Sequence, residues 1–278
     1  MKNKRAVLYS PRLSELRRKR RNIFFLKTVF FILIFAFFIG GLAFVSKIRK
    51  LNINDIVVTG NKIVDSEAIK EVAQADLSGE YLWLFPKTNL VLYPKTKIQN
   101  DLYARFGRLK DISLGLNGRI IQITVSERTG LYTWCGSAPG AEKSQIEKCN
   151  FVDENGYIFD EAPYFSGDVY FKLYGEPFKN NYPVFNDLIN FKKNLEMMGI
   201  KPVALYVKED ANAVIFLSAT SSKAPEIIFK TDTDFAEMLE NLQTALTTEP
   251  LQTDFKEKYT SLEYIDLLFG NKVYYKFK

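Results

Sequence analysis

The chain has 278 residues, 47% of them apolar, with a net charge of +6, two cysteines and no histidine. Length and apolar content are enough for a packed core and exclude global disorder. Without histidine, a Ser-His-Asp triad, a Cys-His pair and a histidine-ligated zinc are all excluded. The charge is unevenly placed. Residues 1–50 hold thirteen Lys/Arg and the single acid Glu15, so residues 51–278 carry 25 basic against 31 acidic side chains. That body lacks the positive field needed to neutralise phosphates, and nucleic-acid binding by it is not expected.

In chain order, residues 1–22 form a basic tail and residues 23–46 a predicted transmembrane helix. Thr28–Ser46 contains no charged residue, and at about 1.5 Å per residue it spans roughly 30 Å, the thickness of a bilayer's hydrocarbon core. Nine basic residues precede the segment (Lys2, Lys4, Arg5, Arg12, Arg17, Arg18, Lys19, Arg20, Arg21) and three follow it, Lys47, Arg49 and Lys50. The positive-inside rule therefore predicts a cytoplasmic N-terminus and an extracytoplasmic body, a single-pass type II arrangement. Leu42–Ser46 offers no small-x-small cleavage site, so an uncleaved anchor is expected rather than a signal peptide.

Past the anchor, Ile53–Thr59 reads as a strand ended by the turn pair Gly60-Asn61, with Gly60 supplying positive φ. Asp65 or Ser66 caps a predicted helix that buries Ile69, Val72 and Ala73. Gly79–Phe85 reads as a strongly apolar loop or short turn, and its run Tyr81-Leu82-Trp83-Leu84-Phe85 is expected to pack against the helices; the alternative is an interaction patch or contact with the bilayer. A second helix is predicted over Lys95–Phe106, stopped by Gly107. Strands follow at Asp111–Leu116 and Ile121–Arg128, with Asn117-Gly118 as the hairpin signal. Residues 51–128 thus read β-α-α-β-β.

In residues 129–278, strands are predicted at Leu131–Cys135 and Asn150–Val152 around a polar loop, 136–148. Asp153-Glu154-Asn155-Gly156 reads as a turn into Tyr157–Phe159. Helices are predicted at Val184–Met198 and Phe235–Leu246, and strands at Val203–Val207, Ala213–Ser218 and Glu226–Lys230. Leu262–Phe269 and Lys272–Phe277 close the chain as a hairpin over Gly270-Asn271, with Gly first as a type II′ turn requires. The predicted class is α+β: an anchor helix, a compact β-α-α-β-β unit, and a mostly antiparallel β-domain with two flanking helices.

Three stretches resemble the bacterial cell-division family FtsQ/DivIB. Ile53–Asn61 (INDIVVTGN) is similar to the opening of a POTRA domain. Ile121–Trp134 (IQITVSERTGLYTW), followed by Phe151–Phe159 (FVDENGYIF), resembles the family's L-x-I-x-V-x-E-R-x-P-x-A-x-W signature. Tyr264–Lys278 resembles its terminal I-D-L hairpin. The order tail, anchor, POTRA, β-domain covers nearly the whole chain. Departures are Asn117-Gly118-Arg119 in place of the proline that usually heads the signature strand, Gly130 where the signature has proline after its Glu-Arg pair, Leu268 where the family has arginine, and the cysteine-bracketed segment 136–148.

The resemblance implies a non-enzymatic scaffold at the division septum, without cofactor or metal. It would recruit and regulate the septal peptidoglycan synthase complex by binding FtsB/DivIC-like and FtsL-like coiled-coil partners, the C-terminal strand accepting a partner strand. Edge strands have the chemistry for this, since their outer N–H and C=O groups are unpaired. The implied partner-binding residues are Leu267, Phe269, Val273, Tyr274, Tyr275, Lys276 and Phe277. The alternative for Tyr274 is packing beneath the helix Phe235–Leu246. Cys135 and Cys149 enclose thirteen residues, and outside the membrane a disulfide stapling that loop is expected. The rival functions are an anchored cell-wall hydrolase, with Asp153, Glu154, Asp160 and Glu161 as candidate carboxylates, and a POTRA-type secretion chaperone.

Overall fold

The computed structural model describes residues 11–140, 147–178, 182–218 and 224–278. Lys2, Lys4 and Arg5 of the basic tail, and 141–146 of the polar loop, lie outside the described residues. The chain divides into two compact units, Met1–Glu127 and Arg128–Lys278. The fold is mixed α+β, with one apolar N-terminal helix and one large, mostly antiparallel sheet.

The first unit opens with α1 (Pro11–Ser46), a continuous helix of 36 residues. The helix is longer than the predicted anchor because it runs back through the basic residues to Pro11. Proline suits a first helical position, where its missing N–H costs nothing. Arg18–Ser46 is long and apolar enough to cross a membrane. Next come β1 (Asp55–Thr59), α2 (Ser66–Leu77), the short strands β2 (Glu80–Tyr81) and β3 (Phe85–Pro86), α3 (Lys95–Arg105), β4 (Leu109–Asn117) and β5 (Ile120–Glu127). Asp65 caps α2 by accepting the Glu67 N–H.

β5 lies between β1, to which it runs parallel, and β4, to which it runs antiparallel. Ile121, Ile123 and Val125 alternate inward from β5 and meet Ile69 and Ala73 of α2 and Ile98 and Leu102 of α3. The β4–β5 turn is shifted by one residue from the predicted Asn117-Gly118. Asn117 pairs with Ile120, so the loop is Gly118-Arg119, with Gly118 at φ 61. Gly60 has φ 89, and a Cβ there would stand 2.1 Å from the Val125 carbonyl oxygen.

The second unit contains β6 (Tyr132–Trp134), β7 (Cys149–Val152), β8 (Ile158–Ala162), β9 (Phe171–Tyr174), α4 (Tyr182–Met197), β10 (Pro202–Val207), β11 (Asn212–Leu217), β12 (Glu226–Lys230), α5 (Phe235–Leu246), α6 (Leu251–Lys258), β13 (Leu262–Phe269) and β14 (Lys272–Phe277). Among the described residues they form a nine-stranded sheet ordered β14-β13-β12-β11-β10-β9-β6-β7-β8.

The parallel neighbours β9 and β10 are joined through α4, and the parallel neighbours β12 and β13 through α5 and α6. Both crossovers step the same way across the sheet between strands of the same direction. Right-handed connection therefore puts all three helices on one face, where Leu188, Phe191, Leu195, Met238 and Leu242 close over Ile215, Ile227, Phe229 and Ile265. The sequence predicted two of these helices. α6 and β9 are additions: each is short, and β9 (Phe-Lys-Leu-Tyr) is too brief to establish a period.

A candidate interaction edge at the end of the sheet

The sheet's first strand is also the chain's last. β14 pairs antiparallel with β13, and among the described residues no strand lies on its other side. The two strands turn over Gly270-Asn271, with Phe269 opposite Lys272. Of the two loop residues, Gly270 alone has positive φ, 63°, which is the φ pattern of a type II′ turn.

The backbone orientation of β14 follows from one bond. The Lys278 N–H donates to the Ser261 carbonyl at 2.8 Å, on the β13 side. Inward and outward backbone groups alternate along an antiparallel strand. Both register shifts insert their extra residue in β13, between Leu262 and Tyr264 and between Asp266 and Phe269, so the alternation in β14 is unbroken. Lys276, Tyr274 and Lys272 therefore direct N–H and C=O toward β13, while Phe277, Tyr275 and Val273 direct theirs outward from the sheet.

Side chains alternate about the other axis. Val273, Tyr275 and Phe277 are half-buried against the helix-covered core, and α5 packs on β14 from that side. Lys272, Tyr274 and Lys276 stand exposed on the opposite face. Packing of Tyr274 beneath α5, the alternative from sequence, is thereby overturned: Tyr274 is 48% exposed and its ring meets that of Phe269, itself 58% exposed, edge-on with centroids 5.3 Å apart. Lys276 pairs with Glu263 at 2.7 Å, and this hydrogen bond, followed by the carboxylate's charge, raises the Lys276 pKa above its ordinary value.

Of the seven residues the resemblance assigned to a partner, Phe269, Tyr274 and Lys276 share the open face. Val273, Tyr275 and Phe277 offer backbone rather than side chain. Leu267 is buried and offers no side-chain surface, which corrects its assignment; it is an inward residue of β13. Sequence reasoning missed Lys272 and Glu263, which complete the exposed face. Counting two back from Tyr274 would have found Lys272.

The signature Glu127-Arg128 turns out to hold local structure. The Glu127 carboxylate accepts the N–H groups of Lys62 (2.7 Å), Ile63 and Val64 (both 3.0 Å), closing the loop after Gly60-Asn61. Burial pushes its pKa up, but those backbone bonds and the Arg108 charge outweigh burial and leave it below the usual carboxylate value. Asn61 completes the loop by donating to the Val64 carbonyl at 2.9 Å. Arg128 donates to Asp153 at 2.6 Å and stacks on the Tyr157 ring, 3.9 Å from its centroid. Asp153 is fully buried, and its other oxygen accepts the N–H groups of Asn155 and Tyr157, each at 2.9 Å. A carboxylate so engaged is not available for proton transfer to a substrate, so Asp153 is withdrawn from the candidate hydrolase residues. Asp160 and Glu161 lie on β8, the strand at the opposite end of the sheet.

Cys135 and Cys149 form a disulfide between the ends of β6 and β7, in line with the pairing of Trp134 with Asn150. Beside it, Glu147 accepts from Lys172 at 2.9 Å and from the Tyr174 hydroxyl at 2.7 Å. Burial first and Glu147 second push the Tyr174 hydroxyl pKa up. Gly130, the departure from the signature proline, lies against the Phe151 ring, where an added Cβ would come within 2.5 Å of Cδ1. No side chain fits there without moving that ring.

A cavity of about 680 Å³ opens beneath α5 and α6, lined by Met198, Lys201, Leu246, Phe255, Lys256 and Tyr259 among others. Its described wall carries no carboxylate. No protein-family model matches the chain, and no curated protein sequence matches it.

Proposed function

We propose that the chain is a membrane-anchored scaffold of the FtsQ/DivIB type, which acts by binding rather than catalysis. The observation that carries this reading is the outer edge of β14, on which no strand lies among the described residues and toward which the backbone groups of Val273, Tyr275 and Phe277 point, beside the exposed rings of Phe269 and Tyr274. Such an edge accepts an extended segment by β-augmentation: main-chain bonds supply affinity and the flanking side chains supply selectivity. The partner is the extracytoplasmic part of an FtsB/DivIC-like coiled-coil protein, held together with an FtsL-like one, and the assembly governs the septal peptidoglycan synthase.

Two further features support the reading. The first unit's three-stranded sheet β1-β5-β4, with β5 central and parallel to β1 and with α2 and α3 between β1 and β4, is compatible with a POTRA-like domain interrupted by the β2–β3 hairpin. The helix Arg18–Ser46 is compatible with a type II anchor at the septal membrane, its basic flank cytoplasmic. The test is calorimetric titration of the full chain in lipid nanodiscs with the extracytoplasmic segment of the same organism's FtsB/DivIC-like protein. Saturable binding that substitution of Tyr274 and Phe269 by serine weakens is expected. Absence of binding by the unaltered chain overturns the proposal.

A further inference from the structure

Of the run Tyr81–Phe85, expected from sequence to pack against the helices, only Phe85 is half-buried, on the strand that packs against α1, while Tyr81, Leu82, Trp83 and Leu84 are exposed. β2 and β3 pair, Tyr81 opposite Phe85, and project the tip residues Leu82 and Trp83 outward, 78% and 88% exposed. Both tip residues have positive φ, 52° and 58°, a region where side chains beyond glycine and asparagine are disfavoured and where hairpins ordinarily place Asn-Gly. The tip thus combines backbone strain with apolar exposure. Val91, 88% exposed, adds a further apolar side chain from the following loop.

The position of this hairpin is set by the end of α1. Along α1, Ala43 and Ser46 are buried while their neighbours face outward, and Ile39 continues the same stripe at helical spacing. β3 packs against α1. Asn89, itself buried, donates its Nδ2 to the Ser46 carbonyl at 3.2 Å, and Asn52 donates to the Ser46 and Ile48 carbonyls at 2.9 and 2.8 Å. Lys47 pairs with Glu80, the first residue of β2, at 3.0 Å. These bonds hold the hairpin base at the last turn of the charge-free run. Ala43 sits about 4.5 Å inside the end of that run at 1.5 Å per residue, so the segment covering it reaches the depth of the hydrocarbon boundary. Three residues of strand carry the tip at most about 10 Å from Glu80, and the interfacial layer on each side of the hydrocarbon is about 5–8 Å thick.

We propose that Leu82, Trp83 and Val91 form a second membrane contact, with the hairpin tip seated in the headgroup layer of the leaflet from which α1 emerges. The inference rests on the reading of α1 as a membrane span. Tryptophan favours this layer because its ring is apolar while its N–H is still hydrated. The exposed cations Arg49 and Lys50 beside the helix end complement lipid phosphates. A span alone leaves the folded unit free to tilt; a second contact fixes its orientation over the bilayer.

The chain contains two tryptophans. In the full chain with Trp134→Phe, Trp83 is the sole indole reporter, and it is reconstituted in phosphatidylcholine–phosphatidylglycerol vesicles carrying bromine near the headgroup end of the acyl chains. The expected result is blue-shifted emission, quenching by the brominated lipid, and shielding from aqueous iodide. A companion Trp83→Ser chain that retains Trp134 guards against misfolding of the first variant, and its residual emission should be insensitive to brominated lipid. A chain that floats with the vesicles while Trp83 emits as in water and yields to iodide overturns the hairpin contact and leaves the anchor standing. A blue shift that appears only on adding another protein, without quenching by lipid, assigns the tip to that protein and also overturns the proposal. A chain that fails to float overturns the anchor reading and this inference with it.

Discussion

Proline at adjacent positions of β14 separates the outer edge from the inner ladder. The Lys278–Ser261 bond sets the phase: the Val273 N–H points out of the sheet and the Tyr274 N–H points toward β13, opposite Asp266. Val273→Pro removes a donor that no strand among the described residues uses, and proline is near valine in size, so the half-buried contact with the core largely survives. Tyr274→Pro deletes a ladder bond and leaves a β13 carbonyl without its donor, at a cost to folding of about 1–3 kcal/mol. In a complex the ranking inverts. Val273→Pro leaves a buried partner carbonyl unsatisfied, again about 1–3 kcal/mol, or roughly a 5- to 150-fold rise in Kd. Urea unfolding followed by circular dichroism reads the first quantity and calorimetry with the partner segment reads the second. The reasoning is refuted if Val273→Pro unfolds the chain as readily as Tyr274→Pro, since the phase is then wrong. It is equally refuted if Val273→Pro folds and binds normally.

The remaining predictions concern the two folded units. Gly60→Ala places a Cβ 2.1 Å from the Val125 oxygen at a φ of 89° and should destabilise the first unit by about 2–5 kcal/mol from overpacking plus backbone strain; a urea midpoint close to that of the unaltered chain would contradict this. Asp153→Ala leaves the half-buried Arg128 guanidinium without its counterion and the Asn155 and Tyr157 N–H groups without their acceptor, and should cost about 2–4 kcal/mol, read in the same way. Glu127 has a folded pKa below its ordinary value, so its contribution is complete above the unfolded carboxylate pKa, about 4.3, and is lost as pH falls through the lower folded value. Glu127→Gln should therefore destabilise by about 1 kcal/mol at neutral pH, since solvent screens the partly exposed carboxylate. In urea titrations at successive pH values, the gap between the two proteins should close only in that acidic window; a gap independent of pH would exclude the carboxylate as its source.

Where a segment's environment was uniform along its length, the sequence was readable. The charge-free run of α1 and the strict alternation of Ile121, Ile123 and Val125 needed no knowledge of other elements. Local rules placed the Gly270-Asn271 turn correctly but set the β4–β5 loop one residue early, because Asn117 and Gly118 both tolerate turns and the register is decided by β5, not by the pair itself. The apolar cluster at Tyr81–Phe85 misled for a different reason. The stretch reads as a loop or short turn, but apolar residues are ordinarily buried and hairpin rules look for Asn-Gly, so nothing in Leu82-Trp83 announces a paired hairpin with an exposed tip. Burial of Leu267 and exposure of Phe269 depend on a bulge in β13 that alternation counted from one end does not register. That β14 lies at an edge is a property of strand order, to which no short window of sequence has access.

The Glu-Arg pair carries a lesson about inference from motifs. It belongs to the signature stretch that carries the resemblance, and both side chains are spent on architecture. Glu127 holds the loop at Lys62–Val64 in the first unit, and Arg128 holds the turn at Asp153–Tyr157 in the second. Each anchors backbone far away in sequence, and neither lies on the candidate edge. Such residues report which fold the chain adopts, because replacing either would strand a loop or a buried carboxylate. They say little about what the fold binds. On the proposed scaffold reading, functional specificity resides where the fold imposes least: on the open face of the last hairpin, at Phe269, Lys272, Tyr274 and Lys276. Paired substitutions discriminate the two kinds of residue. Exchanging Tyr274 and Phe269 for serine should leave the urea midpoint nearly unchanged while weakening partner binding, since both side chains are exposed. Asp153→Ala should do the reverse at temperatures where the fold survives. A Tyr274/Phe269 double variant that loses stability as severely as Asp153→Ala would mean that the edge, too, is structural, and that the interaction surface must be sought elsewhere on the chain.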